Sequence, residues 1–142
     1  MNQGSERKPA ARILLVDDNP DNTALLSIVL EAEGFRISIA SSGQMALELV
    51  ARQPPHLVLL DWILPDINGY EVTRLIKGSA ATQHVPIIIL SGMDDQATRL
   101  RAKSAGAAHF LTKPIDLAEL RQRVRELLSP EHAPDVTDAL AS

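Results

Sequence analysis

The chain has 142 residues, of which 45% are hydrophobic, and this is enough to build one domain with a buried core. Its 14 basic and 18 acidic residues give a net charge of −4, so no overall charge favours direct binding to DNA or to an anionic membrane. The absence of cysteine from the sequence excludes disulfides and thiolate metal sites.

The two ends of the sequence differ in composition from its middle. Residues 1–11 are polar and charged and lack the apolar core of a secretory signal, and residues 129–142 carry two prolines with little apolar periodicity. We predict both as flexible tails around one domain at 12–128. The apolar runs are strand-sized and fall short of the roughly 20 residues of a membrane helix, so a cytoplasmic location is expected.

Short apolar runs alternate along the chain with helix-like segments. They predict five strands, at 12–16, 35–40, 56–60, 85–90 and 107–111. The first, third and fourth runs are continuously apolar, which is typical of strands covered on both faces in a parallel sheet. The pattern therefore predicts an α/β fold, in which a doubly wound, five-stranded parallel sheet lies between two layers of helices.

An amphipathic segment follows each of the predicted strands. The first helix is predicted over 20–33, with Asn19 as its N-cap and Gly34 at its end, and Asp116 is predicted to cap the last helix. The fourth helix, over 94–105, is weakly apolar and is expected to be easily displaced. The predicted core-facing residues are, helix by helix, Ala24, Leu25, Ile28, Val29 and Ala32; Met45, Ala46, Leu49 and Val50; Val72, Leu75 and Ile76; Ala97, Leu100 and Ala105; and Leu117, Leu120, Val124, Leu127 and Leu128.

Polar side chains stand at the predicted carboxyl ends of four strands. Asp17 and Asp18 follow the first strand, Asp61 the third, Ser91 the fourth and Lys113 the fifth. Each type of residue is also common in ordinary turns, but their coincidence at four strand ends indicates a site. Because ligands of such folds bind at the carboxyl ends of the strands, we expect these side chains to converge.

Three crowded carboxylates repel one another unless a pKa is raised or a hard cation binds between them. Mg²⁺ suits such a group best, with Mn²⁺ as the alternative, because it takes one or two protein carboxylates, several waters and a phosphate oxygen. We therefore predict Asp18 and Asp61 as direct ligands, with Asp17 acting through water. The four histidines show no metal-ligand spacing.

A carboxylate can attack phosphorus and form an acyl phosphate once the charge on the transferring group is neutralised. At this site the metal and Lys113 would supply that positive charge. The hydroxyl of Ser91 can donate a hydrogen bond to a phosphoryl oxygen, and Gly92 leaves the approach sterically open. The residues thus predict phosphoryl transfer to an aspartate.

The four motifs that carry these residues are LLVDDNP, LLDWILPDINGYE, IIILSG and HFLTKP. Together they resemble the bacterial response-regulator receiver domains of two-component systems, including the single-domain chemotaxis regulators, from Arg12 to about residue 128. The resemblance implies a flavodoxin-like (βα)5 fold and a role in a histidine-to-aspartate phosphorelay. It implies that Asp61 is the phosphorylation site, that Asp17 and Asp18 complete the acidic pocket, and that the backbone carbonyl of Ile63 is a further metal ligand.

The resemblance also implies a switch. In the family, a hydroxyl residue moves toward the phosphoryl group and an aromatic ring turns inward, which repacks the surface formed by helix 4, strand 5 and helix 5; here the pair is Ser91 and Phe110. The bond before Pro114 is expected to be cis. Ile63 and Met93 are apolar at positions where many rapidly self-dephosphorylating receivers carry a polar group, which predicts slow hydrolysis of the phosphoryl group.

The implied partners are a sensor histidine kinase or histidine phosphotransfer protein, and a downstream protein or output domain. No effector domain is predicted within the 142 residues, so output through protein contacts is expected, including a phosphorylation-dependent homodimer. An output domain following residue 142 in a longer protein fits the polar C-terminal segment equally well. The basic residues of the last two helices fit either an output face or a solvated face with ion pairs such as Glu119 with Arg123. They are Arg99, Arg101, Lys103, Arg121, Arg123 and Arg125.

Three enzyme classes fit the sequence less well. Phosphatases of the haloacid-dehalogenase type need a second acid two residues after the nucleophile, where Ile63 stands. The residues around Ser91 lack the glycine-flanked elbow of a serine hydrolase, and the turn after Val16 lacks the glycines of a dinucleotide site. The chain is expected to catalyse only its own phosphorylation and dephosphorylation. The other alternative is an interaction module that works without phosphorylation, but every chemical position is filled.

Overall fold

The computed structural model describes residues 10–128, and in this range five strands alternate with five helices. The strands are β1 (Arg12–Val16), β2 (Arg36–Ala40), β3 (Leu57–Asp61), β4 (Ile87–Ser91) and β5 (His109–Thr112). The helices are α1 (Pro20–Ala32), α2 (Gly43–Arg52), α3 (Gly69–Lys77), α4 (Gln96–Ala105) and α5 (Leu117–Leu128). The predicted α/β class is confirmed. The tails predicted at 1–11 and 129–142 lie outside the described residues, apart from residues 10 and 11.

All neighbouring strands are parallel, in the order β2-β1-β3-β4-β5. The chain moves outward from β1 to β2 and then crosses back to β3, so the carboxyl ends of β1 and β3 lie at the point where the direction of winding reverses. Parallel α/β folds bind their ligands at this point. Strands β3, β4 and β5 each end one residue later than predicted, which makes Asp61 and Ser91 the last residues of their strands.

Two apolar layers cover the two faces of the sheet, because successive residues of a strand point to opposite faces. Leu14, Val58 and Ile87 pack in the layer under α2, α3 and α4. Ile13, Leu57 and Ile88 pack in the layer under α1 and α5. All residues of β3 and β4 are buried, as the continuous apolar runs predicted. The centre of the sheet is therefore a firm base for the residues at its carboxyl edge.

The buried faces of several helices differ from the predicted stripes. In α1, Leu25 and Ile28 are 51% and 67% exposed, and the buried residues are Thr23, Leu26 and Leu30. The apolar residues of α1 surround the helix on most sides, so their spacing did not select the face that docks on the sheet. The other predicted core residues that the structure leaves exposed are Ala24, Ala32, Met45, Leu75, Ala97 and Leu100. The stripe of α5 is confirmed, with Leu120 and Val124 buried.

The predicted helix caps are confirmed at both ends of the domain. The Asn19 side chain accepts hydrogen bonds from the backbone N–H groups of Asp21 and Asn22 at 2.8 and 3.3 Å. The Asp116 carboxylate accepts the N–H of Ala118 at 2.9 Å, and Gly34 has the left-handed φ of 99° that ends α1. Helix α4 begins two residues later than predicted, after Asp95 as its N-cap.

The predicted ion pair of Glu119 with Arg123 is wrong. Arg123 lies 3.2 Å from Glu126, and Arg125 lies 2.6 Å from Glu33 at the end of α1. Arg125 thus pairs with a residue of a distant helix end, which sequence spacing could not indicate.

None of the helices within residues 10–128 combines the length and apolarity that crossing a membrane requires.

One exposed carboxylate ties the loop after β3 to the start of α2. The two oxygens of Asp66 accept the N–H groups of Gly43 and Gln44, each at 2.9 Å. These hydrogen bonds, with the one from Gln44 as the largest cause, lower the pKa of Asp66 below its usual value. A carboxyl group whose pKa is lowered by folding stabilises the fold above its unfolded pKa, and this contribution is lost as the pH falls through the folded pKa.

We expect Asp66→Ala to lower the urea midpoint of unfolding at neutral pH, because two N–H groups of a helix terminus lose their acceptor. The difference from wild type should shrink in acid, where Asp66 is protonated in both states. Asp66→Asn retains one acceptor oxygen, so its urea midpoint should lie between those of wild type and Asp66→Ala. An Asp66→Ala effect of the same size at neutral and acid pH would contradict this assignment.

Candidate functional site

The loops that follow the strands are held to the carboxyl edge of the sheet by backbone hydrogen bonds. The N–H of Asp17 donates to the carbonyl of Ala40 at 3.1 Å, and the N–H of Lys113 donates to the carbonyl of Ser91 at 2.7 Å. The N–H of Trp62 donates to the Leu90 carbonyl at 2.9 Å. The sheet thus fixes the backbone positions from which the side chains at its edge extend.

Three carboxylates meet at this edge. One oxygen each from Asp17, Asp18 and Asp61 lies within 4.8 Å of the others. Asp17 and Asp61 are buried, whereas Asp18 is exposed. Both oxygens of Asp17 are engaged, with Oδ1 accepting the N–H of Asn19 at 2.9 Å and Oδ2 accepting the side chain of Asn22 at 3.2 Å. This oxygen-only group fits a hard divalent cation.

The ammonium group of Lys113 closes the cluster from the side of β5. Its Nζ lies 3.2 Å from Oδ2 of Asp61 and 3.7 Å from Oδ2 of Asp17. The Lys113–Pro114 peptide bond is cis. Three negative charges therefore share one nearby lysine, which leaves the cluster short of positive charge.

Burial raises the pKa of Asp61 above its usual value, and the negative charge of Asp17 adds to this effect. The positive charge of Lys113 and the hydrogen bond from the N–H of Ile63, at 3.4 Å from Oδ1, work in the opposite direction without cancelling it. The ionised form of Asp61 is thus disfavoured in the metal-free fold. A divalent cation would relieve this unfavourable charge.

The residues after β4 form one side of the site. Ser91 is fully buried at the end of the strand, and its Oγ accepts the N–H of Met93 at 2.9 Å, which leaves the hydroxyl hydrogen for another acceptor. A side chain at Gly92 would meet no atom within 4 Å, in agreement with an open approach. Ile63 and Met93 are 63% and 44% exposed.

Phe110 lies in β5, three residues before Lys113. It is half-buried in β5, pairs in register with Ile89, and packs against the apolar layer under α2, α3 and α4. The guanidinium carbon of Arg99 lies 4.7 Å from the centroid of its ring. Sequence reasoning identified Arg99 as a basic residue of a weak helix, and its contact with an aromatic ring of β5 depends on how α4 docks.

Sequence reasoning missed the role of Gly69. A Cβ at this position would lie 2.7 Å from the Asp61 carbonyl oxygen and 2.9 Å from Cα of Trp62, and the Gly69 N–H donates to the Trp62 carbonyl at 2.7 Å. The first turn of α3 is thus pressed against the backbone at Asp61. The Asn-Gly dipeptide was a visible signal of a turn, although it did not show what the glycine touches.

Comparison with known proteins gives a consistent result. The model of the response regulator receiver domain family matches residues 13–125. The protein PilH of Pseudomonas aeruginosa is 34% identical over 119 residues, which cover 84% of this chain and 98% of PilH. The response regulator PleD of Caulobacter vibrioides is 41% identical over 118 residues, which cover 83% of this chain and 26% of PleD. The chain therefore spans about a quarter of the length of PleD.

Solved structures agree with these relatives. The receiver domain of the sensor histidine kinase PA1611 from Pseudomonas aeruginosa is 33% identical with a TM-score of 0.77, over 84% of this chain and 98% of that one. That structure has a magnesium ion coordinated in its active-site cleft. In the present chain, Asp17, Asp18 and Asp61 form an acidic pocket with the oxygen ligands that the predicted Mg²⁺ cofactor would need.

The raised pKa of Asp61 has a consequence for stability. A carboxyl group whose pKa is raised by folding destabilises the fold as the pH rises through the interval between its unfolded and folded pKa values. We expect Asp61→Asn to raise the Tm of the metal-free protein at neutral pH by a few degrees, given roughly 4 °C per kcal/mol for a domain of this size. Thermal unfolding in EDTA measures this difference.

The difference should vanish in acid, where the wild-type carboxyl group is also neutral, and Mg²⁺ should stabilise wild type more than the variant. Asp21→Asn is a suitable control, because Asp21 is exposed in the first turn of α1 and lies outside the cluster. A Tm for Asp61→Asn below that of wild type in EDTA would show that Lys113 outweighs the crowding.

Proposed function

Because the chain belongs to the family of response regulator receiver domains of two-component systems, we propose that Asp61 is its phosphoacceptor and that phosphorylation of Asp61 controls protein contacts on the surface of α4, β5 and α5. The functional unit in this proposal is residues 12–128. Its chemistry is limited to receiving a phosphoryl group from a phosphohistidine and to losing that group by hydrolysis.

One observation supports this role most strongly. The carboxylate of Asp61 lies at the end of a central strand, with the Lys113 ammonium at 3.2 Å and oxygens of two further aspartates within 4.8 Å. A carboxylate that is buried beside a cation and an acidic cluster is an unusual feature for a structural residue, because burying its charge is costly. The same arrangement suits the transfer of a strongly anionic group.

In the proposed reaction, an oxygen of Asp61 attacks the phosphorus of the donor. A bond between that oxygen and phosphorus forms, the bond between phosphorus and the donor imidazole nitrogen breaks, and the imidazole keeps the electron pair. Lys113 holds positive charge beside the phosphoryl oxygens. Ser91 donates its free hydroxyl hydrogen to one of these oxygens, and the open space at Gly92 admits the donor.

We assign the metal site to Asp18, Asp61 and the backbone carbonyl of Ile63, with Asp17 acting through water. Mg²⁺ held by these oxygens would supply positive charge to offset the negative charge of the phosphoryl group. One observation supports the role of Asp18: it is the exposed member of the cluster, so its carboxylate is open to a cation that arrives from solvent. Mn²⁺ would occupy the same oxygen ligands.

The proposed donor is a sensor histidine kinase or a histidine phosphotransfer protein of the cytoplasm. The proposed target is a protein or output domain that binds the α4–β5–α5 surface after Ser91 and Phe110 have changed position, and a homodimer through this surface is one form of output. We expect no direct contact of this chain with DNA or with a membrane.

The proposal predicts a covalent phosphoryl adduct when the protein is incubated with Mg²⁺ and acetyl phosphate, as measured by intact mass. Asp61→Asn should abolish the adduct because the nucleophile is lost, and EDTA should do the same. Lys113→Ala should slow adduct formation by about 10²-fold, the usual effect of removing one group that stabilises charge in the transition state.

Asp21→Asn serves as the matched control, since it removes an exposed carboxylate from α1 and should leave the rate unchanged. Beryllofluoride, a mimic of an acyl phosphate, should shift amide NMR resonances at Ser91, Phe110, α4 and α5. If neither an adduct nor these shifts appear, the chain is an interaction module that works without phosphorylation.

We also propose that the phosphoryl group on Asp61 is long-lived. The side chains of Ile63 and Met93, two residues beyond Asp61 and Ser91, are exposed, and neither offers a group suited to orienting an attacking water. Their bulk also hinders the approach of water to phosphorus. Both effects leave hydrolysis without the help that a correctly positioned polar group provides.

Ile63→Asn should therefore shorten the lifetime of the phosphorylated protein, by up to about 10²-fold if the amide orients the water. Ile63→Ala separates the two effects, because it removes bulk without adding a polar group. Loss of the adduct is followed by mass after removal of acetyl phosphate. An unaltered lifetime in Ile63→Asn would count against the assignment.

A further inference from the structure

Helix α4 has a weak apolar attachment to the sheet. Its buried residues are the small side chains Thr98, Ala102 and Ala105, while Leu100 is 57% exposed. Apolar stabilisation scales with the area removed from water, and small side chains remove little. A cleft of about 330 Å³ lies between α4 and β5, lined by residues that include Ala102 and Phe110. Other contacts must therefore help to hold α4 in place.

Arg99 provides several of these contacts from one side chain. Its Nε donates to Oδ1 of Asp94 at 2.7 Å, and a terminal nitrogen donates to the hydroxyl of Thr112 at 3.0 Å. Its guanidinium carbon stands 4.7 Å from the centroid of the Phe110 ring, within the range of a cation–π interaction. One arginine thus connects the loop after β4, helix α4 and strand β5.

These contacts lie next to the site. Asp94 is three residues beyond Ser91, and Thr112 directly precedes Lys113. The guanidinium lies over the ring of Phe110 while that ring is half-buried, and both residues line the cleft, so a ring that turned further inward would give up the present geometry of this contact. The arrangement of the unphosphorylated protein is thus favoured by a contact that the switched arrangement would lack.

We propose that Arg99 is a positioning residue that holds Phe110 and α4 in the unphosphorylated arrangement. This inference rests on the proposed function, because it assigns a restraint to the switch that Ser91 and Phe110 form there. A ligand that binds the switched arrangement must first overcome the restraint, so the restraint lowers its apparent affinity. Removal of Arg99 therefore raises the population of the switched arrangement before any ligand binds.

The test is a beryllofluoride titration of the full chain in the presence of Mg²⁺. Trp62 is the single tryptophan of the chain and directly follows Asp61, so its fluorescence reports binding at the site. Arg99→Gln should bind beryllofluoride about fivefold more tightly than wild type, a change that corresponds to about 1 kcal/mol. Arg99→Lys keeps a cation beside the ring and should recover most of the wild-type affinity.

The direction of the change separates a restraint from simple electrostatics. Loss of a positive charge near an anion site should weaken the binding of an anion, whereas loss of a restraint should strengthen it. Lys103→Gln serves as the control, because it removes the same charge from the same helix. Within residues 10–128, the cation that stacks on Phe110 is Arg99 and not Lys103. This control should bind beryllofluoride as wild type does or slightly less tightly.

A double variant tests the route through the aromatic ring. If Arg99 acts through Phe110, then Arg99→Gln should have little effect on affinity in a Phe110→Leu background. In the ligand-free protein, Arg99→Gln should also speed amide hydrogen exchange in α4, because the helix loses a restraint. Circular dichroism and Tm check that each variant is folded.

Unchanged or weaker binding by Arg99→Gln would overturn the inference, and so would an equal gain in the Phe110→Leu background. A wild-type protein that shows no response to beryllofluoride would instead overturn the proposed function, and the inference would fall with it. The two failures are thus distinguished by the behaviour of wild type.

Discussion

Asp61 and Lys113 face each other at 3.2 Å across the carboxyl edge of the sheet, beside two further carboxylates. This interaction is incomplete, because burial and the neighbouring Asp17 keep the pKa of Asp61 raised in spite of the lysine. The fold therefore holds negative charge that is only partly compensated, and a divalent cation would offset it. The participants come from β1, β3 and β5, so the site exists only when the central sheet is complete.

The loop that follows Asp61 shows how the fold keeps that carboxylate in place. Asp66 binds the start of α2, the side chain of Asn68 accepts the N–H of Glu71 at 2.9 Å, and Gly69 lies against the backbone at Trp62. Trp62 is itself buried and meets the ring of Tyr70 edge to face, with the ring centroids 6.4 Å apart. Asp61 thus ends a strand whose following loop is fixed at several points, which suits a reaction that depends on positioning.

The opposite property is found at α4. Strand β4 is fully buried, but α4 contributes small residues to the core and relies on arginine side chains for part of its attachment. Arg99 covers Phe110, and Arg101 lies 4.7 Å from the centroid of the Tyr70 ring on the other flank. Exposed contacts of this kind contribute about 1 kcal/mol or less each. A firmly held Asp61 and a weakly held α4, connected through Ser91 and its loop, fit the switch that we propose.

The sequence by itself determined the α/β class and the five strands, because continuous apolar runs imply buried parallel strands. It also determined the group of Asp17, Asp18, Asp61, Ser91 and Lys113, because the carboxyl ends of such strands share one edge. It also determined the caps at Asn19 and Asp116, which depend on neighbouring residues alone. Only the tertiary structure decided which face of α1 is buried, since its apolar residues lie on most sides of the helix. The tertiary structure alone also decided the partners of Arg99, Arg125 and Gly69. These partners lie on other elements of the fold, and they come close only when the elements dock.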